Sequence, residues 1–169
     1  MTDTPPRKRP PLSFARIVLS YGGWGLLPKF PGTWGTVGAG LTAWAFLEWW
    51  PAARQNWPAL CIAWVLVASA LTILLTPIIE SEDGVKDPQT IVTDEVAGYW
   101  ATLALVQRPG LTALVVAFFI FRFLDVWKPP PARQFEKLPS GWGVLLDDVM
   151  SGVYGAAILW GLDRVIVLS

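Results

Sequence analysis

Four short stretches of this 169-residue chain hold the residue types that metal and phosphate chemistry needs. The first is Asp87 followed by Asp94-Glu95, which lead into Val96-Ala97-Gly98. Asp94 and Glu95 open a helix, so they could simply favour its N-terminal dipole, or they could present oxygens to an ion. The second runs Arg122-Phe-Leu-Asp125-Val-Trp-Lys128-Pro129. Its three charges alternate in sign at helical spacing. They could form a helix-end ion-pair set, or an arginine fork and a lysine point charge for phosphate beside a carboxylate for metal. The third, Gly141-Trp-Gly143-Val-Leu-Leu-Asp147-Asp148, sets adjacent carboxylates inside an apolar run. They repel unless something positive compensates, and a divalent cation is the simplest compensator. The fourth, Pro31-Gly32-Thr33-Trp34-Gly35-Thr36, reads as a glycine-bearing turn into a helix. Its N–H groups and the Thr33 and Thr36 hydroxyls suit an anion, although no Walker lysine follows.

Absences narrow the chemistry further. The chain has no histidine, which removes a Ser-His-Asp triad, a His base and His-ligated metals. Its one cysteine, Cys61, lies in an apolar run with no arginine six residues on, and reads as a small hydrophobe. Thirteen basic residues balance thirteen acidic ones, which argues against a nucleic-acid partner. What remains is a set of hard oxygen ligands suited to Mg²⁺, with Arg122, Lys128 and the Thr33 turn as phosphate binders. Phosphoryl hydrolysis on such a set needs metal-activated water or a carboxylate nucleophile.

The elements that carry these residues look membrane-bound. The chain is 53% hydrophobic and only 15% charged, against about 25% charged in soluble domains. Eleven tryptophans point the same way: Trp49, Trp50 and Trp57 surround one loop, and Trp24, Trp34, Trp127 and Trp142 fall in other loops or helix ends. Residues 1–11 form a basic, proline-rich tail without the apolar core of a signal peptide, and 12–169 form a single helical domain. Leu12–Ser20 suits an interfacial helix and Gly22–Gly35 a loop. Thr36–Trp50 is a first apolar run, about 22 Å long as a helix. Pro51–Trp57 is a turn, and Pro58–Ile79 is the strongest span, with Pro77 as a kink or stop. Glu80–Glu95 carries six of the thirteen acids. Val96–Val106 and Leu111–Leu124 form either one kinked span or a hairpin, and Val144–Val167 is the last run. Basic residues before the first span and after Leu124 place those loops in the cytoplasm, if the two short runs form a hairpin with Arg108 at its tip. All four chemical stretches then meet at one cytoplasmic face.

PGTWGT (31–36), KDP (86–88), TDEVAGYW (93–100), FRFLDVWKP (121–129) and GWGVLLDDVMSG (141–152) together resemble the phosphatidylglycerophosphatase A family. The resemblance runs from about residue 14 to about residue 165, with Thr36 where a serine is usual and Ser151 where an alanine is usual. It implies an Mg²⁺-dependent enzyme of the bacterial inner membrane that cleaves phosphatidylglycerol phosphate to phosphatidylglycerol and phosphate. The family's acidic positions fall on Asp87, Asp94, Glu95, Asp125, Asp147 and Asp148, and its basic ones on Arg122 and Lys128.

The expectation is therefore an all-α, polytopic membrane bundle of about four to five apolar helices, with its site toward the cytoplasm. Asp94, Asp147 and Asp148, with Asp125, are expected to hold Mg²⁺. Arg122 and Lys128 are expected to grip the phosphomonoester, with Thr33 and Asp87 nearby. Glu95 is the expected general base, with Asp148 and Asp94 as the other catalytic acids. The competing readings are another membrane lipid-phosphate metal enzyme and a non-enzymatic transporter or scaffold.

Overall fold

A computed structural model describes residues 12–107 and 109–165. The basic tail, Arg108 at the expected hairpin tip and the last residues of the expected final run lie outside the described residues. Those described are helical or in loops, with no strand among them. Eight α-helices follow in order: α1 (Phe14–Leu19), α2 (Pro31–Trp49), α3 (Pro51–Gln55), α4 (Trp57–Asp83), α5 (Thr93–Leu103), α6 (Leu111–Trp127), α7 (Ala132–Phe135) and α8 (Ser140–Val165).

The short helix α5 is the centre of the fold. Ten of its eleven residues, all but Glu95, are buried, and α2, α4, α6 and α8 surround it. Its small residues allow that enclosure. A Cβ on Gly152 of α8 would collide with the Gly98 carbonyl, and one on Gly155 would meet the Thr102 hydroxyl at 2.8 Å. Helices cross this closely only where small side chains let the backbones approach. On the opposite flank, Trp100 stacks on Trp64 of α4, with ring centroids 5.4 Å apart. Trp57, expected in a loop, is buried there too, and its Nε1 donates to the Leu103 carbonyl at 3.2 Å.

α5 and α6 run back on one another as a hairpin. The Tyr99 hydroxyl donates to the Leu114 carbonyl at 3.0 Å, and Gly98 faces Phe121. A single kinked span would have left α5 and α6 end to end. On α6, Leu111, Val115, Phe119, Phe123 and Trp127 recur every four residues and all are exposed. The helices α4 and α8 are long and apolar enough to cross a membrane, at about 40 Å each. Only 22% of the most apolar part of α4 is buried, so most of it faces away from the protein.

Several expected boundaries move. The first apolar helix begins at Pro31, not Thr36, so PGTWGT is its first turns and the Gly22–Gly35 loop is shorter. The glycines there serve close approach. Gly35 lies against Val92, and Gly32 lies against Glu95 Oε1. Proline fits the first helical position because its missing N–H has no helical partner there anyway. The expected turn at Pro51–Trp57 contains α3. Pro77 does not stop α4, which continues to Asp83 and ends on Gly84 at φ 65°. α8 begins at Ser140, so Asp147 and Asp148 lie two turns inside it, not at a helix start.

Candidate active site

A cavity of about 580 Å³ opens where α5 begins, α6 ends, and α8 passes. Each wall has a local cause. Asp94 and Glu95 fall in the first turn of α5. Arg122 and Asp125 lie in the last turns of α6, and Lys128 caps it in a left-handed conformation at φ 49°. Asp147 and Asp148 are neighbours on α8, so they point about 100° apart. Asp147 reaches the Lys128 ammonium, and Asp148 reaches Asp94 and Glu95. Phe30 and Asp87 on the cavity lining also have left-handed backbones. Such strain clusters at sites where the surrounding structure enforces it.

Eight of the ten residues singled out from sequence line this cavity: Asp87, Asp94, Glu95, Arg122, Asp125, Lys128, Asp147 and Asp148. Thr36 is buried, with its hydroxyl donated to the Gly32 carbonyl at 2.9 Å, and does not line it. Thr33 does not either. It is half-buried, its N–H is bonded to the Phe30 carbonyl at 2.9 Å, and its neighbour Gly32 forms the wall instead. Trp34 N–H is also bonded to Phe30 and Pro31 has none. Gly32 alone is left with a free N–H in that turn among the described residues.

The acids divide into two groups. Asp94, Glu95 and Asp148 each offer an oxygen within 4.8 Å of the others, the geometry a single cation needs. Asp125 and Asp147 are instead each engaged by a cation. Arg122 Nη1 donates to Asp125 Oδ2 at 2.6 Å, and Lys128 Nζ to Asp147 Oδ2 at 2.7 Å. Glu95, expected as a base, thus stands inside the cation-binding trio.

The donor set fits a divalent ion on two counts. Asp94 Oδ1, Glu95 Oε2 and Asp147 Oδ1 are buried with no hydrogen-bond partner. Buried charged oxygens without partners are costly, so these three call for a cation or donor. The lining also holds seven carboxylates against Lys86, Arg122 and Lys128. A phosphate dianion cannot enter such a field favourably until further positive charge offsets it. Burial pushes the Glu95 carboxyl up to about 7. At Lys128 burial acts downward, but its bonds to Asp147 and Glu136 prevail and hold the ammonium above its ordinary value.

Two residues of this region carried no signal of their own in the sequence. Glu136 accepts from Lys128 Nζ at 2.5 Å, opposite Asp147. Glu80 accepts from the Asp87 N–H at 3.2 Å and from the Ser140 hydroxyl at 2.6 Å, tying the two strained residues Asp87 and Ser140 to the end of α4. The Glu80–Ser140 contact spans 60 residues, while Glu136–Lys128 and Glu80–Asp87 are only eight and seven residues apart but cross turns whose path composition does not give.

Comparison with known proteins identifies the family of the chain. The family model described as Phosphatidylglycerophosphatase A matches residues 17–163. A Haemophilus influenzae protein named "Phosphatidylglycerophosphatase A" is 31% identical over 169 residues, covering 96% of this chain and 98% of its own. An Escherichia coli protein of the same name is 33% identical over 139 residues, covering 82% and 77%. A Bacteroides thetaiotaomicron protein named "Putative phosphatidylinositol-3-phosphatase" is 31% identical over 160 residues, covering 90% and 94%. No solved structure matches the chain at a significant level. The chain belongs to the phosphatidylglycerophosphatase A family.

Proposed function

We propose that the protein is an Mg²⁺-dependent phosphatase of phospholipid biosynthesis that hydrolyses phosphatidylglycerol phosphate to phosphatidylglycerol and inorganic phosphate. The observation that carries this reading is one cavity in which a carboxylate trio suited to a cation adjoins Arg122 and Lys128. Asp94 and Asp148 hold the ion, and the free Oδ1 of Asp147 is the next donor in reach of the cavity. Bound there, Mg²⁺ supplies Lewis acidity and offsets the excess negative charge. Asp125 serves here mainly to orient the Arg122 fork, whose other N–H groups are left for the phosphoryl oxygens. Lys128, pinned between Asp147 and Glu136, adds a fixed positive charge. Glu95 takes the proton of the attacking water; the new P–O bond forms as the bond to the glycerol oxygen breaks, and that oxygen leaves to be protonated.

The exposed apolar faces of α4 and α6 support a bilayer setting with several helices embedded. Exposed Trp49 and Trp50 lie at one end of the bundle, and exposed Trp34, Trp127 and Trp142 at the site end, as interfacial belts would. The basic residues on the site side, among them Lys29, Lys128, Arg133 and Lys137, support the reading that the cavity faces the cytoplasm from the bacterial inner membrane.

The experiment is phosphate release from phosphatidylglycerol phosphate by purified protein, with Mg²⁺, with chelator, and with Asp148→Ala. Chelator-sensitive release that vanishes in the variant supports the reading, and no release from folded, Mg²⁺-supplied protein refutes it. The Bacteroides relative's name favours running a phosphorylated inositol lipid in parallel. Faster release from that lipid would move the substrate to another headgroup with the same chemistry.

A further inference from the structure

We infer that a second cavity beside the acid-lined one seats the inner phosphodiester and acylglycerol of the lipid substrate, with Lys29 as the partner of the diester anion. This rests on the reading above that the substrate is a phosphatidyl lipid ending in a phosphomonoester. The second cavity holds about 670 Å³ and shares Phe30, Pro31 and Gln89 with the first, so one molecule can occupy both. Its linings differ in kind. The first is acidic, and the second has Leu26, Leu27, Lys29 and Phe30 on its wall and no carboxylate.

Two cations reach the second cavity, and only one is available. Arg16 is held by Glu82 at 3.1 Å and Asp83 at 2.6 Å. Lys29 is exposed and forms no ion pair among the described residues. Its position is nonetheless fixed. Lys29 and Phe30 are consecutive left-handed residues, at φ 61° and 55°, and Trp34 Nε1 donates to the Lys29 carbonyl at 3.1 Å. Leu26, Leu27 and Phe30 are exposed around it, an apolar rim next to a lone positive charge.

That pattern fits the inner half of the substrate. Phosphatidylglycerol phosphate carries two phosphates joined by a glycerol. The outer one is a monoester that needs a metal and several donors. The inner one is a diester with a single charge, for which one lysine is a sufficient counter-charge. The attached acylglycerol is apolar, as the rim is. Lys29 then sets selectivity for lipids that carry both groups, and takes no part in breaking the bond.

The two reaction products separate the two cavities. Phosphatidylglycerol retains only the diester, and inorganic phosphate mimics only the outer group. Kinetics of the full-length protein in uncharged detergent micelles are measured for wild type, Lys29→Ala and Lys29→Arg, with each product as inhibitor. The expected result for Lys29→Ala is a KM for phosphatidylglycerol phosphate raised about tenfold with kcat little changed. Inhibition by phosphatidylglycerol weakens by a similar factor, inhibition by phosphate stays as in wild type, and Lys29→Arg restores both values. An unchanged KM and unchanged phosphatidylglycerol inhibition in an active Lys29→Ala protein overturn this inference alone. Equal weakening by both products overturns it too, since that marks a general disturbance. A wild type with no activity on this lipid overturns the functional reading and this inference with it.

Discussion

Gly98 is where the packing of this fold can be tested against its chemistry. It faces α8 at the residue that bears the Asp148 carboxylate. A Cβ built on Gly98 would lie 2.6 Å from the Asp148 carbonyl oxygen and within reach of the buried Phe121 ring. Ordinary contact begins near 3.4 Å, so Gly98→Ala must push α8 away from α5 by about 0.8 Å. The Asp148 carbonyl is backbone and cannot rotate aside. The oxygens of Asp94, Glu95 and Asp148 now lie within 4.8 Å of one another, and that displacement opens the trio directly. A misplacement of this size at a reacting centre costs roughly ten- to hundredfold in rate. The overpacking itself costs about 1–3 kcal/mol of stability. The assay is phosphate release at saturating lipid across a range of Mg²⁺ concentrations, with thermal unfolding of the same samples. We expect kcat to fall and the Mg²⁺ requirement to rise in protein that is still folded at the assay temperature. Gly161→Ala is the control, because a Cβ there meets nothing within 4 Å. It should keep full activity and gain roughly 0.5–1 kcal/mol, as alanine replaces glycine inside a helix. Wild-type kcat and wild-type melting in Gly98→Ala would refute the argument that this crossing sets the acids.

Other consequences follow from the same geometry. Asp94→Ala and Asp148→Ala should each abolish turnover, whereas Thr33→Ala, off the cavity wall, should cost less than about tenfold; equal, mild losses in all three would sink the assignment. Mg²⁺ should stabilise the fold, by about 2.7 kcal/mol at a hundred times its Kd, and a melting temperature indifferent to Mg²⁺ would contradict the proposed ion site. Metal-free protein should lose stability as pH rises from 4.5 to about 7. Glu95 titrates higher in the folded chain than in the unfolded one, so the folded state holds the extra proton in that window and loses the advantage as pH passes about 7. Melting measured against pH in chelator checks this, and a flat or rising profile would count against it. Glu80→Gln keeps one acceptor and should reduce kcat a few-fold through Asp87 and Ser140, while Glu80→Ala, which frees both strained residues, should reduce it more; equal rates would mean that Glu80 does not position them.

The acids were legible because buried carboxylates in an apolar chain have few structural uses. The alternation of Arg122, Asp125 and Lys128 showed one ion pair, since residues three apart on a helix are neighbours whatever the tertiary fold. The Lys128–Asp147 pair was not readable, because it joins α6 to α8 across the cavity. Nor was the division of the acids. Asp125 and Asp147 looked equivalent to Asp94 and Asp148 as ligands until the structure gave each a cation. Helix boundaries failed for one reason. Glycine and proline read as punctuation, but here Gly32 and Gly35 are places where another element comes close, and α4 runs on through Pro77. Local composition cannot distinguish a glycine that ends a helix from one that admits a neighbour.

The enclosure of α5 explains why these carboxylates sit where they do. An eleven-residue helix, about 16 Å long, is too short to cross a bilayer. Longer helices on all sides bury it, and its first turn opens onto the cavity part-way along α8. Its N-terminal end therefore carries Asp94 and Glu95 to a level two turns below the start of α8, where Asp147 and Asp148 already are. Had α5 begun nearer the surface, water would screen the acids and they would have little need of a cation. Set at this depth, with unpartnered oxygens and an excess of negative charge, they would couple the folded state to binding of the proposed ion. In the proposed bilayer setting, the same depth would bring the site level with the headgroups of a lipid that stays in its leaflet, so that its phosphate could reach the acids without the acyl chains leaving the bilayer.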